Sequence, residues 1–570
     1  MYVKTSRVRR DDRIYEYLSI VEAYREGGKV RHQLIARLGE ASELRATGQL
    51  DRIIAALRRH AEGTWLQASE LSADPDAPSV GDVAAVRGYF SRLGLDAHFG
   101  ALGDGRRAKN LADTVLVMVA NRLVAPRSKR RTIIDWLHRD VFFGEDVALP
   151  SLEQCYRALD VVASAKEATE SHCYGVLATL VNLDLRLCCY DLTSSYLEGD
   201  TRPSERFPSK AFGYSRDHRS DRPQVVVGLL TTTDGMPIAH HVFPGNTADV
   251  TTLPGVVRDI CERFAVAGLT LVADRGLVSE DNLATLTEAG LDYVIASRLH
   301  RDPIAAEALA ASTRPDAIWL PVEDASSAAC EVEVRGRRAV VVASGERYLR
   351  DRARTAELVE RTEAKLLALE DRVRRGDLKD PGKIGRSAQR VLSSSGVPRL
   401  FDLEIAEGRF LYHYNEEAMN YERDLLAGRF VLLTSLPRKR LPTEDVLRTY
   451  RGLLGVEDRF RELKDFLGLR PIRHFTESRV HGHIAVCVLA ATIESLIAAD
   501  LRRADVRDPD KPRQVISPRR ALRELHRVRL ARVDAGESTI CLVTRRTPLQ
   551  AQILAALGIN ASSWDKAIIT

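Results

Sequence analysis

Between Leu185 and Ser297 the sequence changes its hydrophobic period. LRLCCYDL (Leu185–Leu192), QVVVGLLTT (Gln224–Thr232) and MPIAHHVFPG (Met236–Gly245) are short apolar runs rich in β-branched residues. Thr233-Asp234-Gly235, between the last two, is a hairpin turn signal. A helical pattern from about Asp249 to Ala267 follows, then the buried-type strand LTLVA (Leu269–Ala273). Next come a helix opened by Ser279, Glu280 and Asp281 and closed at Gly290, and the strand YVIAS (Tyr293–Ser297). Hairpin-linked strands that give way to alternating helices and strands predict a mixed α/β sheet.

The rest of the chain is organised around that sheet. Residues 1–76 combine strand-like text (YEYLSIVEAYREG, KVRHQLIARLG) with a charged helix over Glu43–His60, a small α+β unit. Ser72–Ser79 has linker composition. Residues 80–180 are helical throughout and predict a helical domain, a candidate for DNA-end binding or a structural bundle, with no convincing helix-turn-helix spacing. The strand–helix alternation breaks over 299–426, where CEVEVRGRRAVVVAS reads as a β-hairpin and Arg350–Arg375 as a charged helix. That helix carries Val359, Leu366, Leu369 and Val373 at heptad positions, suited to a packed helical hairpin or, less well, to dimerisation. RFVLLTSL (Arg429–Leu436) then resumes a core strand, so 299–426 reads as an insertion and 185–298 with 427–500 as the core. A helical, basic region, 501–570, closes the chain.

One helix is predicted over Thr443–Gly468, with Glu444 and Asp445 in its first turn and a stop at Gly468 and Pro471. Leu453, Val456, Phe460, Leu463 and Leu467 make its apolar stripe. Tyr450, Glu457 and Lys464 recur every seven residues and stack along one edge, since seven residues fall about 20° short of two turns. A carboxylate between an aromatic and a lysine suits a groove that holds phosphates, or simply a solvated helix face.

Composition narrows the class. With 570 residues, 45% hydrophobic and 29% charged, the chain predicts a folded protein of two to four domains. No apolar run approaches the ~20 residues that a membrane span needs, and the first residues lack the apolar core of a signal peptide. Eight cysteines without CxxC or Cys/His zinc spacing read as buried thiols of a reducing cytoplasm. A net charge of +5 decides little, but the positive charge is mostly arginine and clustered, as in RSKRR (Arg127–Arg131) and PRRALRELHRVRLAR (Pro518–Arg532). Arginine forks suit phosphate contacts and favour nucleic acid as partner.

Two aspartates stand at strand ends in the predicted sheet. Asp191 follows the apolar run of the first strand and Asp274 follows LTLVA. Such a carboxylate either caps a turn or holds a cation at the sheet edge. With Glu457 they make three hard oxygen ligands, suited to Mg²⁺ or Mn²⁺. Histidines near these acids (His240, His241, His474, His481 and His483) lack metal spacing and read as structural or phosphate-contacting. Asp217 and Asp221 read as solvated.

Four motifs in order carry a family resemblance: YDLTSSYLEG around Asp191, GYSRDHRSDRPQVVVGLL with GMPIAHHVFPGNTADVTTL, LVADRGLVSEDNL around Asp274, and YRGLLGVEDRFRELKDFLGLRPIRHF from Tyr450. The chain resembles the bacterial insertion-sequence DDE transposases of the IS-four superfamily, the branch with a Tyr–Arg–Glu–Lys signature. The resemblance implies an RNase H-like catalytic core with Asp191, Asp274 and Glu457 as catalytic and metal-binding residues. The signature maps onto Tyr450, Glu457 and Lys464, but its arginine falls on Leu453. Arg461 is the better substitute for the missing charge and Arg451 the poorer. Arg275, Arg216 and Arg219 are further DNA-contact candidates, with His218 and Arg222 beside them.

The chemistry implied is metal-dependent hydrolysis at the ends of an insertion sequence, then attack of the freed 3′-OH on target DNA, with two Mg²⁺ ions (Mn²⁺ as substitute) as cofactor. Tyr450 and Lys464 would position the flanking strand. Relatives that form a hairpin DNA end hold it with a stacked aromatic; Trp319 is the insertion's one tryptophan and reads rather as core. The partners implied are double-stranded DNA, as terminal inverted repeats and target, and a second copy of the chain in a homodimer or larger synaptic complex. Two rival readings are an RNase H-like nuclease without strand transfer and a non-catalytic DNA-binding regulator derived from a transposase.

Overall fold

The computed structural model describes residues 1–10, 13–26, 29–58, 60, 72–73, 77–103, 106–180, 186–199, 202, 205–264, 268–297, 299, 302–322, 326–535, 538–561 and 568–569. Residues 74–76 of the Ser72–Ser79 linker, the strand start at Leu185 and the helix end at Ala267 fall outside that set. The chain divides into two compact units. The first is Met1–Pro75 with Ala531–Leu542 and Lys566–Thr570, and the second is Asp76–Leu530 with Val543–Asp565.

In the first unit β1 (Tyr2–Arg10), β2 (Arg13–Glu26) and β3 (Lys29–Glu40) form an antiparallel meander. The single helix expected over Glu43–His60 is two, α1 (Ala41–Ala46) and α2 (Gln49–Arg58), because Gly48 at φ +66° turns the chain between them. β4 (Ser72–Ala73) belongs to a second small sheet, completed by strands from the chain's far end.

The second unit begins with helices α3 (Gly81–Arg92), α4 (Leu95–Ala101), α5 (Arg106–Val124), α6 (Lys129–Arg131), α7 (Leu152–Ser164) and α8 (Lys166–Leu180). Then come β5 (Leu187–Tyr196), β6 (Gln224–Thr232), β7 (Pro237–Pro244), α9 (Leu253–Phe264), β8 (Thr270–Ala273), α10 (Glu280–Glu288) and β9 (Asp292–Ala296). After them run α11 (Pro303–Ser312), β10 (Trp319–Val322), β11 (Ser327–Val334), β12 (Arg337–Ser344), α12 (Gly345–Arg374) and α13 (Pro381–Ser393). β13 (Phe401–Ala406), β14 (Arg409–Tyr414), α14 (Glu416–Tyr421) and β15 (Arg429–Thr434) lead to α15 (Thr443–Arg451), α16 (Leu453–Asp465) and α17 (Glu477–Arg503). The unit closes with β16 (Arg507–Asp508), β17 (Lys511–Val515), α18 (Pro518–Leu525) and α19 (Pro548–Ala556), while β18 (Leu530–Ala535), β19 (Ser538–Val543) and β20 (Ile568–Ile569) return to the first unit. The last seventy residues are thus strand as well as helix, and β18, β19 and β20 complete the small sheet that holds β4.

The large sheet runs β10-β11-β12-β15-β9-β8-β5-β6-β7, with β5, β8 and β9 parallel and the other pairs antiparallel. This mixed α/β architecture is consistent with the expected core. The hairpin expected inside the insertion is part of this sheet: Val340 and Val341 on β12 pair with Leu432 and Val431 on β15. A strand apolar on both faces is stable only with neighbours on both sides, which draws it into the sheet. What stands apart is α12 through α14, with a small core of its own. Leu366, Leu369 and Val373 are buried in that core and Val359 packs against it, so the heptad positions of α12 serve a packed helical hairpin.

The helices of residues 80–180 share one core with α17 and with one side of the sheet. They form no separate body, because α17 is apolar around its circumference and needs neighbours on every side. By length and composition α17 passes for a membrane span, contrary to the expectation that no run reaches that size, yet 89% of its apolar stretch is buried inside the protein. Six of the eight cysteines are buried, whereas Cys261 is exposed and Cys541 half-buried. Nor is RSKRR a continuous basic face. Lys129 is buried, which pushes its amine down to about 7, and Arg127 pairs with Asp140 at 3.1 Å.

Candidate active site

The register of the central strands fixes where the aspartates emerge. Parallel pairing of β5 with β8 ends at Tyr190 opposite Ala273, and the next residue on each strand is an acid, Asp191 and Asp274. Adjacent strands lie about 4.8 Å apart, so the two carboxylates leave the sheet as neighbours. Asp191 does not end its strand as expected. β5 continues to Tyr196 because its antiparallel pairing with β6 outlasts the pairing with β8. Asp274 does leave its strand, and it opens the tight turn Arg275–Leu277.

Glu457 arrives from the other side, on α16. The single helix predicted over Thr443–Gly468 is broken at Gly452 into α15 and α16. A Cβ on Gly452 would lie 3.0 Å from Thr233 Cγ2 and 3.3 Å from Cys189 Sγ, and one on Gly455 would lie 2.6 Å from the Thr233 carbonyl oxygen. The two glycines let α16 settle directly on the β6–β7 turn and on β5, and the chain kinks to reach them.

That break separates Tyr450 from Glu457, whereas Glu457 and Lys464 stay on one edge of α16, two turns apart. Tyr450, on α15, donates its hydroxyl to Asp274 Oδ1 at 3.2 Å. Glu457 borders the same cleft as Asp191 and Asp274. Lys464 does not face that cleft. Its Nζ is 2.7 Å from Asp217 Oδ1, which also accepts from Arg470 at 2.5 Å, and the Asp217 side chain is only 2% exposed. Asp217 is therefore a buried anchor and not a solvated loop residue, because two cations on separate elements converge on it.

The cleft is electrostatically uncomfortable. The Asp191 carboxyl is pushed up to about 7, first by burial and then by Asp274 and Glu457, against the Leu192 amide and Arg216. Glu457 is raised too, by burial and by Asp274 and Asp458. Burial and Asp274 also raise the Tyr450 hydroxyl. Three acids thus share a cleft of about 2220 Å³ that runs from the sheet edge to the wall formed by α12, β13 and α14.

Comparison with known families agrees with this geometry. The family described as "Transposase DDE domain" matches residues 184–493, over half of the chain. The chain belongs to the DDE transposases. Residues 3–70 match "IS1634 family transposase, N-terminal domain", so the transposase is of the bacterial insertion-sequence kind. A search of curated proteins found no match.

The other expected contact residues of the transposase are distributed unevenly. Arg216 and Arg275 line the cleft, and Arg216 is held by both oxygens of Asp249 at 2.7 and 2.6 Å. Arg219 is away from the cleft wall, paired with Asp221 at 2.8 and 2.9 Å and lying over the Tyr196 ring at 4.9 Å. Arg461 is exposed and bound to Asp458 at 2.6 Å, whereas Arg451 lines a smaller cavity beside the three acids. Of the two candidates for the missing cation, Arg451 is the one that lines a cavity together with the acids. Trp319 packs on the core side of β10, its Nε1 donating to the Ser312 carbonyl at 3.3 Å. His241 pairs with Asp259 at 2.8 Å, and the His474 and His483 rings lie 5.4 Å apart.

Sequence reasoning missed two groups in the transposase. Arg347, Arg354 and Arg399, all from the α12–β13 wall, face the cleft across from the acids. The arginine spacing on α12 was the available signal. Arg459 is buried on the back of α16, donating to the Gly235 carbonyl at 2.9 Å, Glu494 at 2.8 Å and Ser495 Oγ at 2.9 Å. No sequence signal distinguishes it from the solvated arginines around it.

Proposed function

We propose that this transposase binds the terminal inverted repeats of an insertion sequence, cleaves its ends by metal-dependent hydrolysis and joins the freed 3′-OH to target DNA. The observation that carries this reading is the register Tyr190–Ala273, which sets Asp191 beside Asp274 in a cleft that Glu457 also lines. The strand order β7-β6-β5-β8-β9, with β6 alone running against the other four, supports an RNase H-like core.

The donor set fits a hard divalent cation. Asp191, Asp274 and Glu457 supply carboxylate oxygen from three elements, and their mutual repulsion is what positive charge relieves. Among the described residues no three such side chains already form a metal cage, and Asp191, Asp274 and Glu457 are the residues that would hold Mg²⁺ or Mn²⁺. When bound, such ions lower the barrier to phosphodiester attack by neutralising the non-bridging charge and favouring the deprotonated nucleophile.

The chain's own residues do the rest. Tyr450 orients Asp274 through its hydroxyl. Arg216, Arg275 and the arginines of the α12 wall offer cations for the DNA backbone. In the first step water adds to phosphorus and the P–O3′ bond breaks, leaving a 3′-OH on the element and a 5′-phosphate on the flank. In the second, that 3′-oxygen attacks a target phosphate, the target's own 3′-oxygen leaves, and one proton is lost and one gained. Two ends must be held together for this, which calls for two or more copies of the chain.

The test is cleavage of DNA carrying the element's ends, with Mg²⁺ or Mn²⁺, by wild type, Asp191→Asn and Glu457→Gln. Wild type is expected to cut and both variants to fail. Variants that cut as well as wild type sink the assignment. Pre-cut ends that are never joined to target DNA reduce the protein to a nuclease, and binding without cutting by wild type makes it a regulator.

A further inference from the structure

The loop between β5 and β6 carries GYSRDHRSDR, and its aromatic residue is not accounted for by the acids or the arginines. Tyr214 is 84% exposed, the most exposed of the protein's large apolar side chains among the described residues. Its ring makes no aromatic contact there and its hydroxyl no hydrogen bond. It nevertheless lines the same cleft as Asp191, Asp274 and Glu457.

That exposure does not come from a loose loop. Ala211 and Gln224 form a bridge just before it. A Cβ on Gly213 would lie 2.0 Å from the Gly245 carbonyl oxygen, so the backbone there rests directly on its neighbour. The Tyr214 carbonyl accepts from Gln224 Nε2 at 3.0 Å, and the Arg216 amide donates to Ser194 Oγ at 2.9 Å. Three residues after Tyr214, Asp217 is locked between Lys464 and Arg470. A bulky aromatic is thus held in water, at the edge of the acid cleft, by a backbone fixed on both sides.

An aromatic kept in solvent on a fixed backbone costs hydrophobic free energy that a flat apolar surface would recover. On DNA the groups with such a surface are the bases, and a base offers its face only when it is out of the paired stack. We infer that Tyr214 is a positioning residue whose ring stacks on an unpaired base next to the phosphate being cut. This rests on the reading of the cleft as the DNA-cleaving site, and it adds that the transposase prefers ends opened at the cut.

The test is equilibrium binding in EDTA to duplexes carrying the terminal repeat that borders this gene, with the base pair at the cut either matched or mismatched. Wild type is expected to bind the mismatched end more tightly. Tyr214→Ala erases that preference, losing about 5- to 150-fold on the mismatched end, which corresponds to one stacked base. Tyr214→Phe and Tyr214→Trp keep it. Phe212→Ala, exposed but off the cleft wall, keeps it as well and controls for folding of the loop. A preference that survives Tyr214→Ala overturns the inference, and so does an equal loss in Tyr214→Phe, which would make the hydroxyl the contact. Because the readout is binding without metal, it stands or falls apart from cleavage: a protein that cuts but ignores Tyr214 loses only this inference, and one that never cuts loses the activity reading instead.

Discussion

The two sides of α16 are built on opposite principles. On the back, Arg459 meets Glu494, Ser495 and the Gly235 carbonyl, so the buried cation is matched with oxygen. On the front, Glu457 faces Asp274 and Asp191, like charge against like, with burial adding to the strain. The back is what a helix needs to stay in place; the front is what a site needs to attract a cation. Polar groups that are satisfied by their surroundings hold the structure, and those left in conflict mark where a ligand belongs.

The largest expected effect tests the front. Asp191→Asn or Glu457→Gln should lower the rate of end cleavage by about a thousandfold or more, since several kcal/mol of charge stabilisation is lost. Metal-free thermal unfolding of the same variants should show no loss of stability. A clear loss would mean that these acids are structural, and the contrast between the two sides would collapse.

Next comes the back. Arg459→Met should lower stability to denaturant by about 3–5 kcal/mol, because Glu494 is left buried without its partner. Adding Glu494→Leu should recover most of that. A single variant as stable as wild type would show that the pair does not hold α16.

The pH dependence separates the sides further. Asp191 titrates near 7 in the folded protein, above its unfolded value. The folded state therefore holds a proton that the unfolded chain has released, and stability falls as pH rises from about 4 to 7. In EDTA, the stability of wild type minus that of Asp191→Asn should drop by about 4 kcal/mol across that window. An equal slope in both proteins would place the strain elsewhere.

The smallest effect concerns the exposed flank of the helix. Arg461→Ala should change stability by less than about 0.5 kcal/mol, as expected of a surface pair with Asp458. It should also leave end binding nearly unchanged, whereas Arg451→Ala should weaken it. A reversal would restore Arg461 as the signature cation.

Much of the catalytic side was legible because strands announce themselves locally. The run LRLCCYDL placed Asp191 on a buried strand and LTLVAD placed Asp274 just past another, both by short apolar runs alone. Helix stripes were equally visible, as on α12 and α17. The break at Gly452 was not, since the sequence around it keeps a helical period and only contact with Thr233 and Cys189 makes the kink. Lys464 and Asp217 misled for a similar reason. Each looks solvated by its neighbours in sequence, and 247 positions separate the partners that bury one another.

By itself the sequence determined the mixed sheet, the two aspartates at its edge, the acid on the late helix and the family to which these motifs belong, because those depend on period, turn chemistry and motif order. Only the tertiary structure decided that β10, β11 and β12 join the main sheet, that α16 brings Glu457 to the cleft of the aspartates while Asp217 buries Lys464, and that Tyr214 stands bare at the cleft. Those outcomes depend on which distant surfaces meet, and burial and charge pairing across such contacts have no period along the chain.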